Sequence, residues 1–295
     1  MQMSAYHYAK MTETYLSEKN GIARDLEITF EPTRHVYTIK DSKALTPPVS
    51  VTTLTSRGVW PAFDPDATID RIMQSEDYKS GESKYAGMSR SQIRKQWDEA
   101  GLEARTEGTR LHDQIEKYYN RRTSLDTSPS NRGTSPPLKK KARREEEPRD
   151  WRQFVAWATA PEQAHLVPYR TEWRIFSRKC NVAGSVDMVF HNTKTNRLDI
   201  YDWKRSKEIK RNGFGRYATH PLLKEDEIPD ANYYKYSLQL AAYKYILETE
   251  YELPYPIGEL WLVRMDGDEG REMAEAMEAM DLSGPIKKLM EQRWF

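Results

Sequence analysis

Val182-Ala-Gly-Ser-Val-Asp-Met-Val-Phe-His-Asn-Thr-Lys-Thr-Asn-Arg-Leu-Asp-Ile-Tyr-Asp-Trp-Lys204 decides the fold: two strand-like runs, Val182 to His191 and Arg197 to Lys204, meet at the polar turn Asn192 to Asn196. Side chains alternate along a strand, so Leu198, Ile200, Asp202 and Lys204 share one face. That face begins apolar and ends in a carboxylate and an ammonium. Burying such charges costs several kcal/mol unless they are paired or used. A second misplaced charge, Asp187, lies inside the apolar run between Val186 and Met188. Antiparallel pairing predicts Asp187 beside Asp202, about 5 Å away across the ladder. Carboxylates that close raise each other's pKa unless a cation lies between them, and Mg²⁺ suits such oxygen ligands.

Working outward, Tyr169 to Ser177 reads as a preceding strand and Ile257 to Met265 as a last one. Ser89 with Gln92 has the spacing of a capping box that opens a helix running to about Asn120. In its last turns Leu111, Ile115 and Tyr118 form the apolar stripe, with His112 and Glu116 on its flank. Further helices are predicted from about Ala67 to Met73, from Trp151, over Tyr233 to Glu248, and over Glu269 to Met290. Residues 28–39 read as two short strands, and Val49 to Leu54, rich in β-branched residues, reads as strand-like too. Residues 121–149 lack apolar periodicity and are expected to be a disordered insertion. Its run Lys139 to Arg144 reads either as a nuclear-localisation signal or as a solvated charge run balanced by Glu145 to Glu147.

The net charge of +1 excludes a chain that binds nucleic acid through bulk positive charge, so any such binding needs a local basic cluster. One cysteine, Cys180, rules out an internal disulfide and a cysteine zinc site, and points to a reducing compartment. Neither a signal-peptide core near Met1 nor a membrane-length apolar run is present, so the expectation is a soluble, intracellular protein.

Asp187, a short hairpin and Asp202-Trp-Lys204 together resemble the pattern of the PD-(D/E)xK nuclease superfamily. Gly108-Thr-Arg-Leu-His112 resembles the helical Gly-x-x-x-His motif of its RecB-like and lambda-exonuclease-like branch, and Gln239-Leu-Ala-Ala-Tyr243 resembles the Gln-x-x-x-Tyr motif. Glu172 stands where related enzymes place an extra acid. The likeness extends to the mitochondrial genome maintenance exonuclease and to nuclease-like proteins of large DNA viruses, over roughly residues 108–262.

The resemblance implies an α/β fold: a mixed central sheet flanked by helices, with a β-rich N-terminal arm over residues 1–88. Residues 89–120 would carry His112 within the nuclease core, and residues 150–295 would complete it. It also implies one or two Mg²⁺ or Mn²⁺ ions held by His112, Asp187, Asp202 and the Trp203 carbonyl, with Glu172 as a further ligand. Lys204 would orient or deprotonate the attacking water. Gln239 and Tyr243 would position the strand or brace the site, and Thr52 and Thr53 would reach the substrate.

Arg205, Lys207, Lys210, Arg211 and Arg216 form either a solvated loop or an electropositive path for a phosphate backbone. Tyr217, Tyr233 and Tyr234 offer faces for stacking unpaired bases. Glu172 has a plainer reading as the partner of Arg170 or Arg174, and Tyr243 as core. The expected activity is hydrolysis of DNA, exonucleolytic and on single-stranded ends. The alternatives are a catalytically silent nucleic-acid-binding scaffold and an RNA-cutting endonuclease with the same site.

Overall fold

A computed structural model describes residues 14–124, 147–267 and 270–293. Its centre is a six-stranded mixed sheet. Strand β4 (Leu166–Ser177) pairs antiparallel with β5 (Val182–Asn192) along nearly its whole length. The other edge of β5 is shared. At its start Val182 and Ala183 pair in parallel with the two-residue strand β3 (Val49–Ser50), and at its end residues 188–192 pair antiparallel with β6 (Arg197–Arg205). β6 continues in parallel with β7 (Ile257–Met265), and β8 (Glu275–Glu278) closes that side. The predicted Asp187–Asp202 neighbourhood follows from this register, because the last ladder pair is Met188 with Tyr201.

The two faces of β6 point into two cores. Leu198 and Ile200 pack with the helix Asn232–Glu250 through Leu240, Tyr243 and Leu247. Tyr201 and Trp203 pack against the long helix Arg90–Ser124 and the helix Arg149–Ala158, through Leu111, Ile115, Tyr119, Phe154 and Trp157. The stripe on the long helix ends on Tyr119 rather than the expected Tyr118, since positions 111, 115 and 119 repeat every four residues. The capping box is present: Gln92 N donates to Ser89 Oγ at 3.3 Å, and Ser89 N donates to Gln92 Oε1 at 2.7 Å. Neither Gly101 nor Gly108 breaks this helix, which runs on to Ser124. Residues 121–124, expected in the insertion, are the last turn of this helix, and residues 125–146, with the basic run Lys139 to Arg144, lie outside the described residues.

Two predicted elements are different. Val51–Ser56 is a helix, not a strand, because Ser50 Oγ accepts the Thr53 N–H at 3.0 Å and caps it. Tertiary packing of Val51 against the sheet outweighs its β-branched propensity. With helices also at Tyr15–Lys19, Pro65–Gln74 and Glu76–Ser80, the described part of residues 1–88 is more helical than the expected β-rich arm; the hairpin of β1 (Ile28–Glu31) and β2 (Val36–Ile39) and the two-residue β3 fit that reading.

The expected C-terminal helix from Glu269 is instead β8 followed by a short helix, Ser283–Glu291. The free edge of β7 takes β8 as a partner. Pro285 fits the first turn of a helix that starts at Ser283, where no N–H is needed, but would break the interior of a longer one. Among the described residues no helix is long and apolar enough to cross a membrane.

Gly184 shows how closely the helix Asn232–Glu250 approaches the sheet. A Cβ at this position would lie 2.7 Å from Tyr243 Cε1 and 3.0 Å from Val51 Cγ2. Gly184→Ala should therefore cost about 1–3 kcal/mol through overpacking. Urea unfolding followed by circular dichroism checks this, and an unchanged midpoint would show that the helix can move away freely.

Candidate active site

The site forms where β5 and β6 part. Beyond the Met188–Tyr201 pair, the next β6 donor, Trp203 N, is taken by the side chain of Asp187, whose Oδ2 accepts it at 3.0 Å. On the other side of β5, Glu172 and Asp187 lie opposite one another between the ladder pairs Thr171–Met188 and Trp173–Val186. Glu172 has φ +43°, a left-handed conformation unusual for a residue with a side chain. Its Oε2 accepts a hydrogen bond from Ser185 Oγ at 3.1 Å. Strain of this kind persists where surrounding structure enforces it, and it concentrates at functional sites.

His112 reaches the site from the long helix. Its Nδ1 is 3.5 Å from Glu172 Oε1 and 3.7 Å from Asp187 Oδ2. Its Nε2 is 3.0 Å from the Trp203 carbonyl oxygen. One ligand atom from each of His112, Glu172 and Asp187 falls within 4.8 Å of the others. Asp202 and Lys204 stand beside this cluster as an ion pair, Lys204 Nζ to Asp202 Oδ2, at 2.5 Å. Gln239 Nε2 lies 3.5 Å from Asp202 Oδ1 and donates to the Tyr243 hydroxyl at 3.0 Å. The ring of Tyr236 lies 4.6 Å under the Lys204 ammonium.

Three carboxylates gathered in one place, Asp202 buried and Asp187 and Glu172 partly so, make the electrostatics unusual. Burial pushes the Asp202 carboxyl up to about 6, with Lys204 opposing and Asp187 adding to the rise. Burial also raises Asp187, against the pull of His112 and with the push of Glu172. Burial alone would lower the His112 imidazole, but the Asp187 and Glu172 carboxylates outweigh it and raise the pKa to about 9. Lys204 is likewise raised, because Asp202 and Asp187 outweigh the cost of burying its charge. The field reaches further still: burial raises the Tyr37 hydroxyl to about 12, with Glu172 and Asp187 adding to it.

The donor set fits a hard divalent cation. Two carboxylates and one imidazole converge, and a cation between them would offset the negative charge that now holds His112 protonated. The Trp203 carbonyl lies across the imidazole from the carboxylates, so a proton on Nε2 bonded to it leaves Nδ1 as the ligand atom. Asp202 borders the cluster without belonging to it, because its Oδ2 is engaged by Lys204.

The other predicted binding residues divide. Gln239 and Tyr243 are in the site, linked to Asp202. Arg205 is not a free cation: its Nε donates to Asp150 Oδ2 at 2.8 Å, and Asp150 also holds Arg110 through two bonds of 2.9 and 2.7 Å. Lys207 is exposed. Thr53 is used in the Ser50 cap and Thr52 is exposed, and neither hydrogen-bonds to the acidic cluster. Of the tyrosines proposed for stacking, Tyr233 is buried and Tyr217 exposed.

Several residues were missed in the sequence. Asp150 is buried and ties Arg110, two positions from His112, to Arg205, next to Lys204. An acid two residues after a proline, opening a helix, reads locally as nothing more than a first-turn charge. Tyr37 and Ser185 carry no motif at all, and Tyr236 is hidden in the apolar stripe of its helix.

The chain belongs to the PD-(D/E)XK nuclease superfamily, whose family model matches residues 74–292. The matched stretch carries His112, Glu172, Asp187, Asp202 and Lys204. Membership implies a metal-dependent nuclease acting on nucleic acid. Comparison with curated proteins found no match.

With a pKa near 9, His112 is protonated at neutral pH, whereas a metal ligand must be the neutral imidazole. Mn²⁺ affinity should therefore rise with pH and level off above about 9. Binding near pH 7 should release about one proton. Calorimetry in buffers of different ionisation heat measures that release, and His112→Gln should abolish it. Heats independent of the buffer would mean that the cation does not displace the His112 proton.

Proposed function

We propose that the chain hydrolyses phosphodiester bonds of DNA, working as an exonuclease on single-stranded ends with Mg²⁺ or Mn²⁺. The observation that carries the reading is the convergence of His112, Glu172 and Asp187 beside the Asp202–Lys204 pair. His112, Glu172 and Asp187 would hold the ion, with Asp202 next to them available for a second one or for a bridging water. When bound there, the ion supplies Lewis acidity toward the scissile phosphate and lowers the pKa of a bound water.

The remaining chemistry belongs to the chain. Lys204, held as an ammonium by Asp202, offsets the negative charge that grows on the phosphate oxygens as water attacks and the P–O bond to the leaving group breaks. In that state it orients the water by donating hydrogen bonds, and it has no lone pair with which to act as a base. Tyr236 supports the ammonium from below. Gln239 holds Asp202 in place through one face of its amide and Tyr243 through the same nitrogen. Ser185 fixes the Glu172 carboxylate. Asp150, by holding Arg110 and Arg205 together, keeps the helix that bears His112 against the strand that bears Lys204.

Preference for DNA and for free single-stranded ends is supported by the likeness of the Gly-x-x-x-His and Gln-x-x-x-Tyr motifs to the RecB-like branch. Cleavage of an end-labelled single-stranded DNA oligomer with Mg²⁺, Mn²⁺ or EDTA tests the proposal, with a matched RNA beside it. Lys204→Ala and Asp202→Asn should each lower turnover by about 10³-fold or more while circular dichroism stays as in the wild type. Retained turnover in either variant would sink the assignment. Binding without product under any metal would favour a silent scaffold, and faster loss of the RNA would move the substrate class.

A further inference from the structure

Away from the acidic cluster, a cavity of about 710 Å³ opens between residues 63–85 and the loop that follows the lysine strand. Its walls carry Phe63 and Phe214, which are 68% and 76% exposed, and Tyr85. Three cations, Arg71, Lys84 and Arg216, line it against one carboxylate, Asp77. Large apolar side chains are costly to leave in water, and two of them facing one electropositive cavity call for an occupant.

The loop that presents Phe214 is built to do so. Asn212 Oδ1 accepts the Phe214 N–H at 2.7 Å, and Arg216 N donates to the Gly213 carbonyl at 3.0 Å. A Cβ at Gly213 would lie 2.6 Å from the Arg216 carbonyl oxygen, so only glycine fits there. Phe214 itself has φ +52°, which a bulky residue adopts only when the surrounding turn imposes it. Just outside the cavity the chain before Phe63 is tied to the chain after Arg216, since Thr219 N donates to the Val59 carbonyl at 2.8 Å.

A short chain of contacts joins this cavity to the lysine side of the active site. Arg216 and Lys235 both pair with the buried Asp230, at 3.4 and 2.7 Å. Lys235 lies over Trp60, and the next residue, Tyr236, lies under Lys204. Aromatic faces beside cations are the chemistry that holds unpaired nucleotides: bases stack on the rings and phosphates meet the cations.

We propose that this cavity is a stacking clamp for unpaired nucleotides of the substrate strand, with Phe63 and Phe214 taking the bases and Arg71, Lys84 and Arg216 the phosphates. The proposal rests on the nuclease reading above for its choice of ligand. Arg71 donates to the Ala67 carbonyl at 3.4 Å and to Thr68 Oγ1 at 3.1 Å, and Lys84 lies 4.8 Å over the Tyr85 ring; these neutral partners leave both charges able to meet phosphate. Duplex DNA offers no free base faces, so the clamp selects single strands.

The test is fluorescence anisotropy of the full chain with a labelled oligothymidylate of about twelve nucleotides, in EDTA so that no cleavage occurs. Phe214→Ala and Phe63→Ala should each weaken binding about tenfold, and Phe214→Trp should restore it. Lys84→Ala should flatten the plot of log affinity against log salt by about 0.7. A duplex of the same length should bind equally well to wild type and both phenylalanine variants. Unchanged oligothymidylate binding in both variants, or an equal loss on duplex, would overturn the clamp. Both rings are exposed, and matching thermal melts will show that the variants fold. A separate cleavage reaction with Mn²⁺ keeps the two readings apart. Wild type that binds through the phenylalanines but never cuts would overturn the nuclease reading alone.

Discussion

The parting of β5 from β6 is the constraint on which the rest of the site depends. Up to Met188 and Tyr201 the two strands share a normal antiparallel ladder. Beyond that pair β6 keeps its parallel partner β7 through Arg205, while the far end of β5 turns to β3. A backbone N–H left without a ladder partner in a buried place is costly, and Asp187 supplies the acceptor for Trp203 N from its side chain. The strand therefore opens without an orphaned donor. The space so created is floored by carboxylates and faces both flanking helices.

That opening sets a problem of charge. Glu172 and Asp187 gather beside Asp202, and burial, with the push of Glu172 on Asp187 and of Asp187 on Asp202, makes the two aspartates harder to ionise. The balance is restored from two directions: His112 from the long helix and Lys204 from the same strand as Asp202. Asp150 performs a related service behind the site, where a single buried carboxylate holds the two arginines adjoining those residues. A buried acid with four hydrogen bonds, three of them from the arginines, is tolerated where an unpaired one is not. The arrangement suits a divalent cation because a cation resolves the same imbalance with oxygen and nitrogen ligands already gathered.

Much of this was legible in the chain. The hairpin from Val182 to Lys204, the Asp187–Asp202 neighbourhood and the helix carrying His112 all follow from local alternation and capping, and the family match agrees with the motifs that they carry. Where the reading failed, a non-local partner decided. Val51–Ser56 is helical because Ser50 caps it and the sheet receives Val51. Glu275–Glu278 is a strand because β7 had an edge to fill, although Pro285 could have warned against a long helix. The partner of Arg205 could not be read either, because nothing nearby in sequence announces Asp150, 55 residues away.

The sequence by itself determined which residues could do the chemistry, since strand alternation and helical spacing are local properties written in a few consecutive positions. Only the tertiary structure decided how they divide the work. It put Glu172 beside His112 and Asp187 through a left-handed conformation within β4, set Asp202 next to that cluster on the ammonium of Lys204, and gave the Trp203 carbonyl to the His112 ring. It also brought Phe63 and Phe214, 151 positions apart, to one cavity. Such pairings arise from the closure of distant segments, whose energetics depend on packing and desolvation that no local pattern encodes.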